Sequence, residues 1–353
     1  MSNLTSRKSL LVAVLIAVII ASIASLVMSR GGGLGGGGSA IATPPVQWDT
    51  GFRTVRRPYA VNIEAEYDLG GLTIPQEQIH TLVRKDGIPA LTDPNLEKVN
   101  EANWLEPEAR VIEAVVGTDV LGVPLQILNY HEIVNTTLGG EPIAITYCPL
   151  CDSATIFSRH IKRPTEGDSG DLVLEFGVSG ALYNSNVLLY DRTHKGLWSQ
   201  LGMEAVSGPL VGSELDMLPV RLVTYAEFKN KYPQGDLVSR DTGHHRPYEG
   251  SAYGDYFGHD RLMVPVAEMG DALPKKTLGV GIATDEQAWF IAKESIGMKG
   301  FTFNTPLGKV TVARTEAGIV VQEAPPGIRS AQTFYYSWSA FYPDTVVLGT
   351  GKK

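Results

Sequence analysis

A mainly β fold with short helices, an α+β architecture of barrel- or sandwich-like form carrying signs of an internal duplication, is what the sequence predicts. Three observations lead there. From Arg110 onward the chain runs as short β-rich segments, Pro142–Tyr147, Ala154–Phe157, Leu172–Phe176 and Val187–Tyr190, each bounded by Gly, Pro, Asn or Asp. Helical periodicity is sparse, and Pro124–Val134 and Thr224–Lys231 are the better candidates. The stretch from Val111 to Ala144, through Asn135-Thr136-Thr137-Leu138-Gly139, aligns at an offset of 169 with Val280 to Ala313, through Asn304-Thr305-Pro306-Leu307-Gly308. A closing element recurs at an offset of 110, Tyr225–Phe228 before Tyr232-Pro233 and Tyr335–Trp338 before Tyr342-Pro343.

Taken in order, residues 1–9 are expected as a short cytoplasmic N-terminus. Residues 10–28, Leu10 to Met28, are uncharged and almost wholly Leu, Val, Ile and Ala. At about 1.5 Å per residue they approach the roughly 30 Å of membrane hydrocarbon, so a single-pass transmembrane anchor is expected. Arg7 and Lys8 precede the run and only Arg30 follows closely, which leaves the C-terminal domain outside the cytoplasm. A cleaved signal peptide would share the apolar core, but its small-residue pattern, Ala40-Ile41-Ala42, lies beyond the Gly-rich tract, far for a cleavage site. Residues 29–45 form a flexible Gly-rich tether. Residues 46–105, with Arg56-Arg57-Pro58 and few apolar runs, read as an extended wrapping segment. Residues 106–270 make a first unit, and 271–353 a shorter second unit.

With 43% hydrophobic and 19% charged residues the chain is an ordered globular protein rather than a disordered one. A net charge of −8, with no Lys/Arg stripe interleaved with aromatics, argues against a nucleic-acid partner. No P-loop, HExxH, GxSxG or GxGxxG is present, which removes the common hydrolase and nucleotide plans.

The chemistry gathers on the only two cysteines, in Thr146-Tyr147-Cys148-Pro149-Leu150-Cys151. A bridge across two residues closes too small a loop to add much chain-entropy stability, so a purely structural role is poorly motivated. Two thiolates at this spacing suit a soft metal, copper or zinc, with His131 as a third ligand beside Glu132. They equally suit a redox dithiol, although thioredoxin-like enzymes put Cys-Pro-x-Cys at a helix start and Asp152–Phe157 reads as a strand. Cys148, Cys151, His131 and Glu132 are therefore the candidate catalytic residues. At the repeat offset they correspond, in that order, to Ala317, Val320, Gly300 and Phe301, so the scaffold is expected to form without them. The run from Phe176 to Asn186 offers Ser179, Tyr183, Asn184 and Ser185 either to a ligand or to a polar hairpin, with Trp198 and Gln200 near the same pocket. Gly243-His244-His245-Arg246 reads as a polar loop.

The motif series resembles a bacterial and archaeal family, the domain of unknown function 3179 family. The resemblance runs through Gly87–Leu91, His131–Asn135, Thr146–Cys151, Phe176–Ser185, Tyr190-Asp191-Arg192, Leu197–Gln200 and Tyr248–Tyr256. Asp152 departs from the Asn or Gly more familiar there, and Ala252 from a Pro. The resemblance implies an extracytoplasmic or membrane-associated protein and carries no reaction with it. Three functions remain in view: a thiolate site for a soft metal, placed first; a thiol–disulfide redox protein; and a noncatalytic module that binds a small ligand or partner.

Overall fold

The computed structural model describes residues 62–161, 172–250, 253–254 and 256–349. The expected anchor, the tether and the wrapping segment before residue 62 lie outside them. Among the described residues no helix is long and apolar enough to cross a membrane.

In chain order the principal strands are β1 (Arg110–Val116), β2 (Asp119–Pro124), β3 (Ile133–Leu138), β4 (Glu141–Cys148), β5 (Ser153–Ser158), β6 (Phe176–Tyr183), β7 (Asn186–Asp191), β8 (Leu197–Ser199), β9 (Arg221–Thr224), β10 (Asp236–Val238), β11 (Leu278–Ala283), β12 (Ala288–Ala292), β13 (Phe301–Thr305), β14 (Gly308–Arg314), β15 (Ile319–Glu323), β16 (Arg329–Phe334) and β17 (Val346–Leu348). Three helices, α1 (Leu125–His131), α2 (Tyr225–Lys231) and α3 (Tyr335–Phe341), interrupt them. The fold is thus mostly β with few short helices, and no sheet closes into a barrel, which corrects that half of the expectation in favour of a sandwich. The expected strand Leu172–Phe176 divides: Leu172–Val173 pairs with His160–Ile161 in a two-stranded ribbon, and Phe176 opens β6.

The central layer is a nine-stranded sheet in which Leu91–Thr92, β3, β4, β5, β16, β11, β12 and β17 follow one another, with Met217–Leu218 paired on β5. Side chains of β4 alternate across it. Ala144 and Cys148 join the core beneath β6, β7 and β8 with Phe176, Leu189 and Trp198. Ile143, Ile145 and Tyr147 join the opposite core with Ile112 and Val123 of β1 and β2 and Ile127 and Leu128 of α1. Period-two alternation with both faces apolar is what a strand between two layers requires. The wrapping segment supplies edge strands to three sheets: His80–Thr81 on β6, Leu91–Thr92 on β3 and Leu96–Lys98 on β10.

One four-strand pattern occurs twice. β1 and β2 form a hairpin, β9 pairs antiparallel with β1, and after α2 the strand β10 pairs parallel with β2. β11 and β12 form a hairpin, β16 pairs antiparallel with β11, and after α3 the strand β17 pairs parallel with β12. Both helices end alike, with Tyr232 N–H on Phe228 O at 2.8 Å and Tyr342 N–H on Trp338 O at 2.9 Å. Each presses one aromatic onto a glycine: a Cβ on Gly122 would lie 2.7 Å from Phe228, and one on Gly281 2.1 Å from Trp338. The first set makes its own five-stranded sheet with Leu96–Lys98, whereas the second lies in the nine-stranded sheet, joined to the β3–β4–β5 strands through the β5–β16 pair. In return, Thr315 Oγ1 donates to Leu222 O at 2.7 Å, and Arg110 Nε to Ala317 O at 3.0 Å.

Candidate functional site

The two cysteines stand at the turn of the β4–β5 hairpin, inside the sandwich. The register pairs Cys148 with Ser153 and Thr146 with Thr155, so these four side chains share the face toward β7 and β8. Pro149 stiffens the turn, and Asp152 completes it at φ +51. The second four-strand set holds the turn from outside. Phe334 N–H donates to Cys151 O at 2.8 Å, Thr333 Oγ1 to the same oxygen at 3.0 Å, and Tyr336 OH to Leu150 O at 2.9 Å. On the other face the Asp152 carboxylate takes a two-pronged pair from Arg110 at 2.8 and 3.2 Å and the Tyr147 hydroxyl at 2.7 Å. A buried carboxylate with three donors is satisfied as an anion, and it fixes the backbone beside Cys151.

Both cysteines are free and fully buried. Their surroundings differ. Cys151 Sγ faces Cys148 O at 4.0 Å but also receives the Asn186 amide, Nδ2 at 3.1 Å, and lies 3.2 Å from Ser153 Oγ. Asn186 can only present nitrogen there, because its oxygen is taken by Leu201 N–H at 3.2 Å. The Gln200 oxygen accepts from Asn186 Nδ2 at 2.7 Å and from Ser153 at 2.6 Å, while its nitrogen donates to Thr146 Oγ1 at 2.8 Å. Cys148 Sγ faces a carbonyl, Ser185 O at 4.0 Å. A donor favours thiolate and an acceptor favours thiol. Accordingly burial, which would raise both, prevails at Cys148 and pushes it well above the ordinary thiol range. At Cys151 burial is outweighed by hydrogen bonds with Cys148, Ser153, Asn186 and Ser337, which hold it below that range.

Glu132 is the third ionisable member. It ends α1 in the left-handed region, φ 57, where its N–H closes on Leu128 O and its carbonyl accepts Tyr147 N–H. That places the side chain beside the thiols. Burial, with Cys151 adding, pushes its carboxyl up to about 8. The phenols of Tyr253, Tyr256 and Tyr336 complete the surround, each raised by burial first and by neighbouring thiols or carboxyl second.

The remaining expected residues separate. His131 is fully buried, but Nδ1 lies 2.7 Å from Pro89 O and Nε2 2.6 Å from the Tyr248 hydroxyl, so both ring nitrogens are engaged away from the sulfurs. Burial lowers its pKa to about 4, which makes it a neutral structural imidazole. Among the described residues no three His, Cys, Asp or Glu side chains converge as a ligand set. Of the hairpin residues, Ser185 reaches the thiols, whereas Ser179 bonds the backbone of Leu188 and Ala181, Asn184 donates to Ala340 O at 3.0 Å and Tyr183 packs edge-on to Phe341. Trp198 is core, its indole N–H on Asp191 at 3.2 Å, and Gln200 is part of the thiol network. The loop with His244 and His245 lines a surface concavity of ≈ 790 Å³ that contains no cysteine. Arg240 there pairs with Glu249 at 3.1 Å, and the mixed charge selects no ligand class.

Sequence reasoning missed Ser153, Asn186 and Ser337. The first was legible from strand alternation, since Thr146, Cys148, Ser153 and Thr155 fall on one face once the hairpin is drawn. The other two arrive from distant elements and leave no local signal.

A model of the family described as a protein of unknown function, DUF3179, matches residues 85–326, and the chain belongs to that family. No curated protein and no solved structure matches it.

Proposed function

We propose that this member of the family is a redox protein whose Cys148 and Cys151 cycle between dithiol and disulfide, with Cys151 the attacking thiolate. One observation carries the reading: each sulfur faces a carbonyl at 4.0 Å, but the Asn186 amide, locked by Leu201 N–H, aims a donor at Cys151 alone of the two. Thiol–disulfide chemistry needs that inequality, one sulfur ionised and its neighbour held protonated until its turn. A metal would instead need both as thiolates.

Closing the bridge removes two electrons and two protons. Glu132, a carboxyl that titrates near neutrality beside Cys151, is the group able to hold one proton during the step. Full burial of both sulfurs restricts the oxidant to a small molecule. With the expected anchor at residues 10–28, the pair would work outside the cytoplasm, at the membrane surface. The soft-metal reading is the competing proposal: without His131, copper(I) held by the two sulfurs alone is its simplest form.

The test is to equilibrate the full chain in graded thiol–disulfide buffers, alkylate, and count labelled cysteines by mass. The expected result is a cooperative loss of both labels together, absent in Cys148→Ser and Cys151→Ser. Two thiols that stay alkylatable both in the most oxidising buffer and after treatment with a small oxidant such as hydrogen peroxide would overturn the redox reading. Stoichiometric metal on the reduced wild type, lost in Cys148→Ser, would put the metal reading in its place.

A further inference from the structure

We infer that the oxidant this dithiol takes is a hydroperoxide, bound against Cys151 by the hydroxyls of Ser337 and Ser185. The inference rests on the dithiol reading and adds its substrate class.

Two observations lead to it. Ser337 Oγ and Ser185 Oγ are fully buried and meet no partner at full hydrogen-bond geometry among the described residues; Ser337 interacts with the Cys151 sulfur and Ser185 with the Tyr336 phenol. A hydroxyl can donate once and accept twice, so two under-satisfied ones at one place call for a further polar occupant. Both flank the sulfur pair. Ser337 is among the groups that lower Cys151, and the carbonyl of Ser185 is the one that Cys148 faces. The second observation is the burial itself. Exchange with a disulfide requires three sulfurs in line and room for the leaving chain, which two sulfurs at 0% exposure beneath Tyr256 and Tyr336 do not offer. Hydrogen peroxide is a little larger than water, and each of its oxygens both donates and accepts, which suits two hydroxyls left under-satisfied beside the sulfurs.

The chemistry closes without a further reagent. The Cys151 thiolate attacks one peroxide oxygen; the S–O bond forms, the O–O bond breaks, and the leaving hydroxide takes the Glu132 carboxyl proton and departs as water. Ionised Glu132 then takes the proton of Cys148. The Cys148 sulfur attacks the Cys151 sulfenic acid, the S–S bond forms and the S–O bond breaks, and the hydroxide released recovers that proton as a second water. Two thiols and one peroxide give one disulfide and two waters. Ser337 and Ser185 hold the oxygen that stays on sulfur between the two steps.

The experiment follows the reduced full chain with hydrogen peroxide and, separately, with oxidised glutathione. The expected outcome is peroxide-driven thiol loss on the order of 100-fold faster than free cysteine at the same pH, as placed donors at a reacting oxygen provide, at one peroxide per disulfide. Cys148→Ser should accumulate a dimedone-trapped sulfenic acid on Cys151. Ser337→Ala, checked for folding by circular dichroism, should lose at least about tenfold of the peroxide rate. A rate equal to that of free cysteine, or glutathione disulfide outrunning peroxide, would overturn the peroxide assignment while a formed bridge leaves the dithiol reading intact. No bridge with either oxidant would remove both.

Discussion

Asn186 and Glu132 set the state of the thiols from opposite directions, and each is testable alone. Asn186→Ala removes the donor aimed at Cys151 and leaves burial unopposed. The thiolate absorbance that disappears in Cys151→Ser should then titrate at higher pH in Asn186→Ala, by the equivalent of about 1.5 kcal/mol for a hydrogen bond to a charged group. An unchanged titration would mean that the amide does not hold the thiolate. Glu132 acts through stability. Its carboxyl is raised in the fold to about 8 from an ordinary 4.5, so the native state binds its proton more tightly than the unfolded chain. That contribution is complete below pH 4.5 and is lost as pH climbs through 8, on the order of 5 kcal/mol in all. Glu132→Gln should therefore flatten the fall in stability across this window in urea titrations. His131 next to it runs the other way: burial depresses it to about 4, so its contribution is lost as pH falls below 6.5. A Glu132→Gln curve parallel to wild type between pH 4.5 and 8 would show that the carboxyl is not held protonated.

At the scale of elements, the contact that each short helix makes with its hairpin is the feature most exposed to a single substitution. Gly281 lies under the Trp338 ring, and an added Cβ would sit 2.1 Å from it. Trp338 is fully buried and its ring is stacked on Tyr342 at 4.1 Å, so it cannot retreat. Gly281→Ala should destabilise by about 2–3 kcal/mol through overpacking, read from the denaturation midpoint at unchanged slope. A neutral Gly281→Ala would mean that α3 is free to shift. These elements were partly legible. Apolar spacing announced α1 and α2, and the Thr224–Glu227 capping box marks where α2 starts. Helix α3 was visible only as a repeat of α2, because Tyr335-Tyr336-Ser337-Trp338 carries no polar face. The site was legible as far as chemistry stays local: the sequence brings Cys148, Cys151 and Glu132 into view together. The engagement of His131 by Pro89 and Tyr248 was not legible, because it depends on chain 42 and 117 residues away.

For the whole molecule, the recurrence of strand order, direction and helix placement is the pattern a duplicated unit would leave, and the joins between its two copies govern how the protein unfolds. The hairpin that carries the thiols belongs to the first set by sequence, yet its sheet runs on through β16 into the second. The Cys151 carbonyl is held by Thr333 and Phe334, and Gln332 donates to Asp152 at 3.5 Å while its oxygen accepts Ile319 N–H at 2.8 Å. Arg110 closes the circuit, tying β1 to Asp152 and to Ala317 O. Neither set can open without uncovering buried donors and acceptors of the other, and the turn that carries the two cysteines lies on the seam. The two sets should therefore unfold as one cooperative unit. In native-state hydrogen exchange the slowest amides of β4 and β5 and those of β11 and β16 should give one free energy that falls together with denaturant. If the second set opened at lower free energy, Cys151 would lose the backbone bonds that place it while the first set still stood. Two distinct exchange energies would refute the cooperative seam.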